Sequence, residues 1–242
     1  MNTRVTILRK SSCFFFGLPF RPLVPFYILR MVYFRYFYLT SIRDPIHRYL
    51  SEWQHVRRNS SWWYHAVTCG GTEIVEDPCW PRGKSSNITL EEFLECPPNP
   101  ANNRQTRMLA DLILCACYNQ SNPTMSRAQI EEFQLQSAKK NLAQMYFFMW
   151  KYPKKSQYIF EKTFKIPFSI PFPVFRPKSL RYIDKITPQE LEKIKLRNQY
   201  DIELYNFGEK LFLKRFNLTK LENDDFEGIN ETINGTNKEY PW

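Results

Sequence analysis

Residues 40–53 read TSIRDPIHRYLSEW. The residues up to Ile42 are rich in strand formers, the pair Asp44-Pro45 interrupts them, and a helical pattern follows. A guanidinium group at the end of a strand and a hydroxyl group in the next helix can both reach one phosphate. The open end of a parallel sheet is also where such folds bind nucleotides. We therefore expect Arg43 and Ser51 to form a phosphate site; the alternative is an arginine–aspartate pair that only caps the helix.

Alternating strand and helix patterns continue from this stretch towards the C-terminus. The predicted segments are a strand over residues 36–42, helices over 46–58, 89–95, 103–115 and 126–142, a strand over 145–150, and helices over 152–164 and 187–216. Capping-box patterns favour helix starts after Ser126 and Thr187. Residues 59–100 otherwise read as a long, cross-linked loop region. This order predicts one α/β domain in which helices pack on a parallel sheet.

The chain is strongly basic, with a formal net charge of +10 and a pI of about 9.3. Such a charge is typical of proteins with an anionic partner, which could be nucleic acid, anionic lipid, a sulfated or carboxylated polysaccharide, or a nucleotide cosubstrate. The charge alone does not distinguish these partners, and solubility is an alternative explanation. Because 43% of the residues are hydrophobic, the chain has enough apolar surface to form its own core.

Cysteines and glycosylation motifs indicate an oxidising compartment. The six cysteines include no C-x-x-C pair near histidines, so no metal site is expected. The cysteines expected to form disulfides, with their connectivity open, are Cys69, Cys79, Cys96 and Cys117. The Asn-x-Ser/Thr glycosylation sites are Asn59, Asn87, Asn119, Asn217, Asn230 and Asn234. These six sites favour a glycoprotein of the secretory pathway, which argues against nucleic acid as the partner.

The first residues differ in composition from the rest of the chain. Residues 12–39 are rich in Phe, Tyr and Leu, but three arginines interrupt them, so they fail the requirement for one transmembrane span. A signal-like apolar region over residues 12–20 is the alternative. The predicted parts of the chain are an apolar and basic N-terminal segment over residues 1–33, one domain over 34–219 and a polar tail over 220–242.

Four further blocks carry a family resemblance together with residues 40–53. They are ANNRQTRMLADL at residues 101–112, CYN at 117–119, SAKKNL at 137–142 and QYIFEKTF at 157–164. Residues 40–53 resemble the 3′-phosphate-binding motif of sulfotransferases that use 3′-phosphoadenosine 5′-phosphosulfate (PAPS). Taken in this order, the blocks resemble the heparan-sulfate 6-O-sulfotransferases, and the resemblance covers residues 34–216.

The resemblance implies an α/β fold of the P-loop-NTPase-like sulfotransferase type, whose central parallel sheet is incomplete at the N-terminus. It implies transfer of sulfate from PAPS to the 6-hydroxyl of N-sulfoglucosamine in heparan sulfate, without a metal. Arg43 and Ser51 would hold the 3′-phosphate of PAPS. Arg104 and Arg107 would contact the acceptor or the cosubstrate, and solvated helix charges are the alternative. The resemblance also implies the Golgi lumen and a type II membrane anchor.

Two features of the family have no match in this sequence. The Lys-Thr-Gly-Gly-Thr-Thr loop that holds the 5′-phosphosulfate, and the histidine that acts as general base, lie upstream of the matching region. His47, His55 and His65 do not stand in the matching context. The resemblance therefore predicts an N-terminally truncated chain with little or no activity of its own. The alternative is a catalytically inactive lumenal protein that binds glycosaminoglycans through its basic surface.

Overall fold

The computed structural model describes residues 37–58, 67–69, 72–74, 88–96, 99–112, 125–172, 180–223 and 226. In chain order, the elements are β1 (Leu39–Ile42), α1 (Pro45–Arg57), β2 (Val67–Cys69), β3 (Thr72–Ile74), α2 (Leu90–Glu95), α3 (Arg104–Leu109), α4 (Arg127–Gln144), β4 (Tyr146–Met149), α5 (Pro153–Phe164), α6 (Leu180–Ile183), α7 (Pro188–Arg197) and α8 (Gln199–Asn223). The domain is mixed, with helices packed around a small parallel sheet, and this confirms the predicted α/β class.

The parallel sheet consists of β1 and β4. Leu39 pairs with Tyr146 and Ile42 pairs with Met149, so the two strands end at the same edge. Ile42 and Met149 are buried in the core, as expected for strands covered by helices. The prediction of two strands in a parallel arrangement is therefore confirmed. Their carboxyl ends place the residues that follow each strand side by side.

α1 begins directly after the turn that ends β1. The Asp44 carboxylate accepts a hydrogen bond from the His47 N–H at 2.9 Å, and Pro45 occupies the first turn of the helix. Trp53 lies on the buried face of α1, and its indole N–H donates to the Ile88 carbonyl oxygen at 3.1 Å. The strand–turn–helix order predicted from residues 40–53 is confirmed.

Two hydrophobic clusters form the core of the described residues. The first surrounds the parallel sheet and includes Leu142 of α4, Phe147 of β4 and Phe212 of α8. The second joins α1, α2 and α7 and includes Tyr49 and Phe93, whose ring centroids are 5.1 Å apart. Two ion pairs connect the clusters. Glu52 of α1 pairs with Arg104 of α3, and Arg48 of α1 pairs with Asp201 of α8.

One predicted helix is shorter than expected. The helix predicted over residues 103–115 ends at Leu109, and the next residue adopts an extended conformation. The Asp111 N–H donates to Ser137 Oγ at 2.9 Å, so a side chain of α4 takes the place of the next helical hydrogen bond. Residues 113–115 lie outside the described residues.

The long helix predicted over residues 187–216 is two helices, α7 and α8, which meet at the buried Asn198. The Asn198 side chain and its backbone N–H both donate to the Ile194 carbonyl oxygen, at 2.8 and 3.1 Å, so this residue caps the end of α7. The capping boxes predicted at Ser126 and Thr187 are confirmed. α8 crosses the predicted start of the polar tail and ends at Asn223.

β2 and β3 pair antiparallel, with Val67 opposite Ile74, inside the stretch predicted as loop. The loop prediction is wrong for these strands, because three residues are too few to show a periodic pattern. Within the described ranges, every helix is too short or too polar to span a lipid bilayer. Residues 1–33 lie outside the described residues, so the predicted anchor and the division into three parts stay predictions.

Candidate functional site

Arg43 is the first residue after β1, and its backbone is held by one side chain. The Arg43 N–H donates to Gln105 Oε1 at 2.9 Å, and Gln105 Nε2 donates to the Arg43 carbonyl oxygen at 2.9 Å. Gln105 belongs to α3 and is itself buried. Its amide supplies one acceptor and one donor to the same residue, as a neighbouring strand does.

The guanidinium group of Arg43 lies beside Trp150, the residue that follows β4. Arg43 Cζ is 5.9 Å from the centroid of the Trp150 ring, and Trp150 is 51% exposed. Burial and the charge of Arg48 lower the pKa of Arg43, while Asp44 acts in the opposite direction. An anion at this edge of the sheet would stabilise the charged guanidinium group, so its surroundings suit a phosphate.

Ser51 lies half-buried on α1, one turn after His47 and on the same side of the helix. Burial lowers the pKa of His47 most, Asp44 raises it, and the charge of Arg43 lowers it further. The positive charge of Arg43 therefore affects a residue on the same face of α1 as Ser51. That the two side chains bind one phosphate stays a prediction.

Arg104 and Arg107 both have partners within the protein. Arg104 Nη1 lies 2.7 Å from Glu52 Oε1, and the carboxylate of Glu52 is buried. Arg107 Nη2 donates to the Pro100 carbonyl oxygen. The Arg104 side chain is 31% exposed, so part of it faces solvent while it pairs with Glu52. Contact of these arginines with the acceptor or the cosubstrate stays a prediction.

Arg48 connects α1 with the start of α3 and with α8 through a polar network that the sequence pattern did not predict. Its guanidinium group donates to Glu52, to the Ala101 carbonyl oxygen at 2.7 Å and to Asn198 Oδ1 at 2.6 Å. Arg48 Nε also lies 3.3 Å from Asp201 Oδ2 in an ion pair. These contacts hold α1 against α8 and against the turn that precedes α3.

α3 and α8 cap each other's first turns. Asp201 of α8 accepts hydrogen bonds from the N–H groups of Gln105 and Thr106 at 3.1 and 2.7 Å. Asn103, before α3, accepts through Oδ1 from the N–H groups of Tyr200 and Asp201 at 3.0 and 3.2 Å. Each helix therefore satisfies unpaired N–H groups of the other, and the pair forms a rigid support for Gln105.

Of the cysteines expected to pair, Cys96 is buried at the end of α2 and is disulfide-bonded. Cys79 and Cys117 lie outside the described residues, and of Cys69 only its position in β2 is described. The pairing of the four cysteines therefore stays a prediction.

Among the expected glycosylation sites, Asn217 is exposed on α8 and open to solvent. The other expected sites lie outside the described residues; they are Asn59, Asn87, Asn119, Asn230 and Asn234. Within the described part of the chain, no group of three or more His, Cys, Asp or Glu side chains could hold a metal ion. That the reaction needs no metal stays a prediction.

Arg43 lies at the carboxyl end of a parallel sheet, which is where ligands bind in open α/β folds. A family model described as the Sulfotransferase family matches residues 23–208. The chain therefore belongs to the sulfotransferase family.

Within this family, the chain is similar to curated heparan-sulfate 6-O-sulfotransferases. The chain is 43% identical over 189 residues to heparan-sulfate 6-O-sulfotransferase 2 of Danio rerio, covering 76% of this chain and 40% of the relative. It is 42% identical over 189 residues to heparan-sulfate 6-O-sulfotransferase 1 of Cricetulus griseus, covering 75% and 46%. With the Homo sapiens heparan-sulfate 6-O-sulfotransferase 1 it shares 41% identity over 187 residues, covering 75% and 44%. The resemblance stated from the sequence is confirmed, and the chain spans less than half the length of these relatives.

Proposed function

We propose that this chain provides the 3′-phosphate-binding part of an enzyme that transfers sulfate from PAPS to the 6-hydroxyl of N-sulfoglucosamine in heparan sulfate. Membership of the sulfotransferase family supports a sulfate-transferring enzyme that uses PAPS. The relatives are named heparan-sulfate 6-O-sulfotransferases, and on this basis we propose heparan sulfate as the acceptor and its 6-O position as the site of transfer. We further propose that β1 and β4 belong to the central sheet of a P-loop-NTPase-like sulfotransferase fold.

The observation that carries the proposal is the position of Arg43. It stands at the carboxyl end of the parallel sheet with its backbone held by Gln105 and its guanidinium group partly desolvated. A desolvated guanidinium group gains more from a phosphate than a solvated one, because the surrounding dielectric screens the interaction less. The Sulfotransferase family match supports a phosphate-bearing donor as the anion.

This part of the enzyme contributes to the reaction by positioning the sulfate donor. Bound PAPS supplies an activated sulfonyl group for transfer. Arg43 offers paired, charge-assisted donors to the 3′-phosphate, and the Ser51 hydroxyl offers a further donor. Two contacts of this kind fix one end of the donor, so that its other end meets the acceptor hydroxyl in a defined orientation. We propose no metal for this step.

Arg104 and Arg107 are proposed to contact the sulfated acceptor or the donor. The Arg104 side chain is partly exposed while it pairs with Glu52, so it can extend the positive surface next to α1 without becoming an uncompensated buried charge. Arg107 lies one turn further along α3. The net charge of +10 supports a polyanionic acceptor.

We propose a Golgi-lumenal glycoprotein with a type II membrane anchor as its setting. The disulfide-bonded state of Cys96 and the exposure of Asn217 support an oxidising, glycosylating compartment. The proposed parts of the chain are the N-terminal segment over residues 1–33, the sulfotransferase domain over 34–219 and the tail over 220–242.

Titration of the purified 242-residue chain with 3′-phosphoadenosine 5′-phosphate (PAP), the product of PAPS after transfer, tests the proposal. Saturable binding is expected in isothermal titration calorimetry. Arg43→Ala should weaken it by about 10- to 100-fold, because a hydrogen bond to a charged group contributes about 1.5–3 kcal/mol. Arg58→Ala is the matched control, since it removes an exposed arginine at the C-terminal end of α1, the helix that follows Arg43. Equal weakening by both variants would contradict a specific role of Arg43.

The alternative is an inactive protein that binds glycosaminoglycans through its positive charge, and the net charge of +10 favours it. Salt-sensitive binding to heparin, together with no measurable affinity for PAP, would support this alternative and overturn the donor site. Transfer of labelled sulfate from PAPS to N-sulfated heparosan by the purified chain would instead overturn the expectation of little intrinsic activity.

A further inference from the structure

The direction in which the Arg43 side chain leaves the sheet depends on Gln105. Pairing between the two strands ends with the hydrogen bond from the Trp150 N–H to the Ile42 carbonyl oxygen at 3.1 Å. The N–H and carbonyl groups of Arg43 both bond to the Gln105 amide. Since these groups fix the backbone conformation of Arg43, they also fix where its guanidinium group can reach.

Gln105 is in turn fixed from the other side. Its N–H donates to Asp201 Oδ2, and Asp201 is fully buried in α8 and paired with Arg48. The N–H and hydroxyl groups of Thr106 donate to Asp201 Oδ1 at 2.7 and 2.8 Å. A continuous set of buried contacts therefore runs from α8 through α3 to the end of β1. Support of this kind holds a binding side chain in its productive geometry.

We infer that Gln105 is a positioning residue for the 3′-phosphate of the donor, acting through the backbone of Arg43. The contribution is made through Arg43, because the side-chain oxygen and nitrogen of Gln105 both bond to the Arg43 backbone. This inference rests on the proposed function, since it assigns Gln105 to the same phosphate site. A role in folding alone would leave recognition of the 3′-phosphate intact.

The experiment compares the dissociation constants of PAP and 5′-AMP, which lacks the 3′-phosphate. The dissociation constant of 5′-AMP divided by that of PAP measures the contribution of that phosphate alone. Gln105→Met keeps an unbranched side chain of similar size and removes both hydrogen bonds to Arg43. We expect this ratio to fall about tenfold in Gln105→Met, while affinity for 5′-AMP stays unchanged.

Gln134→Met is the matched control, because Gln134 is a second buried glutamine and lies on α4. It should retain the wild-type preference for PAP. In an Arg43→Ala background, Gln105→Met should not reduce the preference for PAP over 5′-AMP any further, because the two residues act on the same phosphate contact. If Gln105→Met fails to fold, Gln105→Asn serves the same comparison, since it keeps an amide that is too short to bridge both groups of Arg43.

Each outcome has a distinct meaning. A wild-type preference for PAP that survives in a folded Gln105 variant overturns the inference and leaves the proposed function intact. Equal weakening of PAP and 5′-AMP also overturns it, because that result shows a general structural role. Equal affinity of the wild-type chain for PAP and 5′-AMP overturns the proposed 3′-phosphate site, and the inference with it.

Discussion

Replacing the carboxylate of Asp201 by an amide tests the contact that holds α8 against α3. Asp201 is 0% exposed, and its oxygens accept hydrogen bonds from the Gln105 N–H, the Thr106 N–H and the Thr106 hydroxyl. Asp201→Asn keeps the shape of the side chain but turns one acceptor oxygen into a donor group. At least one N–H of α3 then faces another donor, and Arg48 keeps its ion pair with Glu52 but loses the one with Asp201.

The expected cost follows from these contacts. A hydrogen bond to a charged group contributes about 1.5–3 kcal/mol. Removing one partner of a buried ion pair costs about 3–5 kcal/mol. One carboxylate makes both kinds of contact, so the costs overlap, and the ion-pair cost applies only in part because Arg48 keeps Glu52. We therefore expect the free energy of unfolding to fall by about 2–4 kcal/mol in total. For a chain of this size, that loss lowers the melting temperature by roughly 4–16 °C.

Thermal unfolding followed by circular dichroism measures this shift. Asp184→Asn is the matched control, because Asp184 is exposed after α6 and the substitution removes the same charge. Its melting temperature should stay within about 2 °C of wild type, since surface substitutions of this kind change stability by about 0.5 kcal/mol or less. If the two variants melt within about 2 °C of each other, the contacts of Asp201 with α3 do not stabilise the fold.

Three further substitutions test single contacts. Thr187→Ala removes the hydroxyl that caps α7 and should lower the free energy of unfolding in urea by about 1 kcal/mol; an unchanged midpoint would contradict the capping box. A Cβ on Gly208 would lie 3.2 Å from a methyl group of Leu142, so Gly208→Val should destabilise the chain by about 1–3 kcal/mol, and a wild-type melting temperature would argue against close packing there. Burial raises the pKa of Glu209, but hydrogen bonds from its neighbours, Lys151 first, outweigh burial and hold the pKa below its ordinary value. The stabilisation is therefore present above pH 4.5 and lost as the pH falls through the lowered pKa, so Glu209→Gln should be less stable than wild type near neutral pH and equal to it in acid; a pH-independent difference would refute this.

The elements that the sequence predicted correctly are those set by neighbouring residues. Asp44 and Thr187 cap helices through N–H groups three residues further on, so their effect is visible within one turn of sequence. The strand over residues 145–150 is a short apolar run between helical patterns, and β4 lies within it. The motif that contains Arg43 and the four blocks that follow it indicated the family, because their order along the chain is specific.

The polar support of the site depends on contacts between residues far apart in the chain. Asn198 and Asp201 fall on the same helical stripe as the buried Ile194 and Tyr205, where the period calls for apolar residues. These two polar residues could have indicated the network from the sequence, since a polar residue on a core-facing stripe is expected to have a buried partner. Their partners, among them Gln105 on α3, follow from the packing of α3 and α8 and have no local pattern.

A crystal structure of the chain soaked with PAP shows which side chains hold the 3′-phosphate. We expect oxygens of the 3′-phosphate to lie about 3 Å from the Arg43 guanidinium nitrogens and from Ser51 Oγ, next to Trp150 at the carboxyl end of the sheet. A 3′-phosphate bound elsewhere, with Arg43 facing solvent or another protein group, would contradict this expectation.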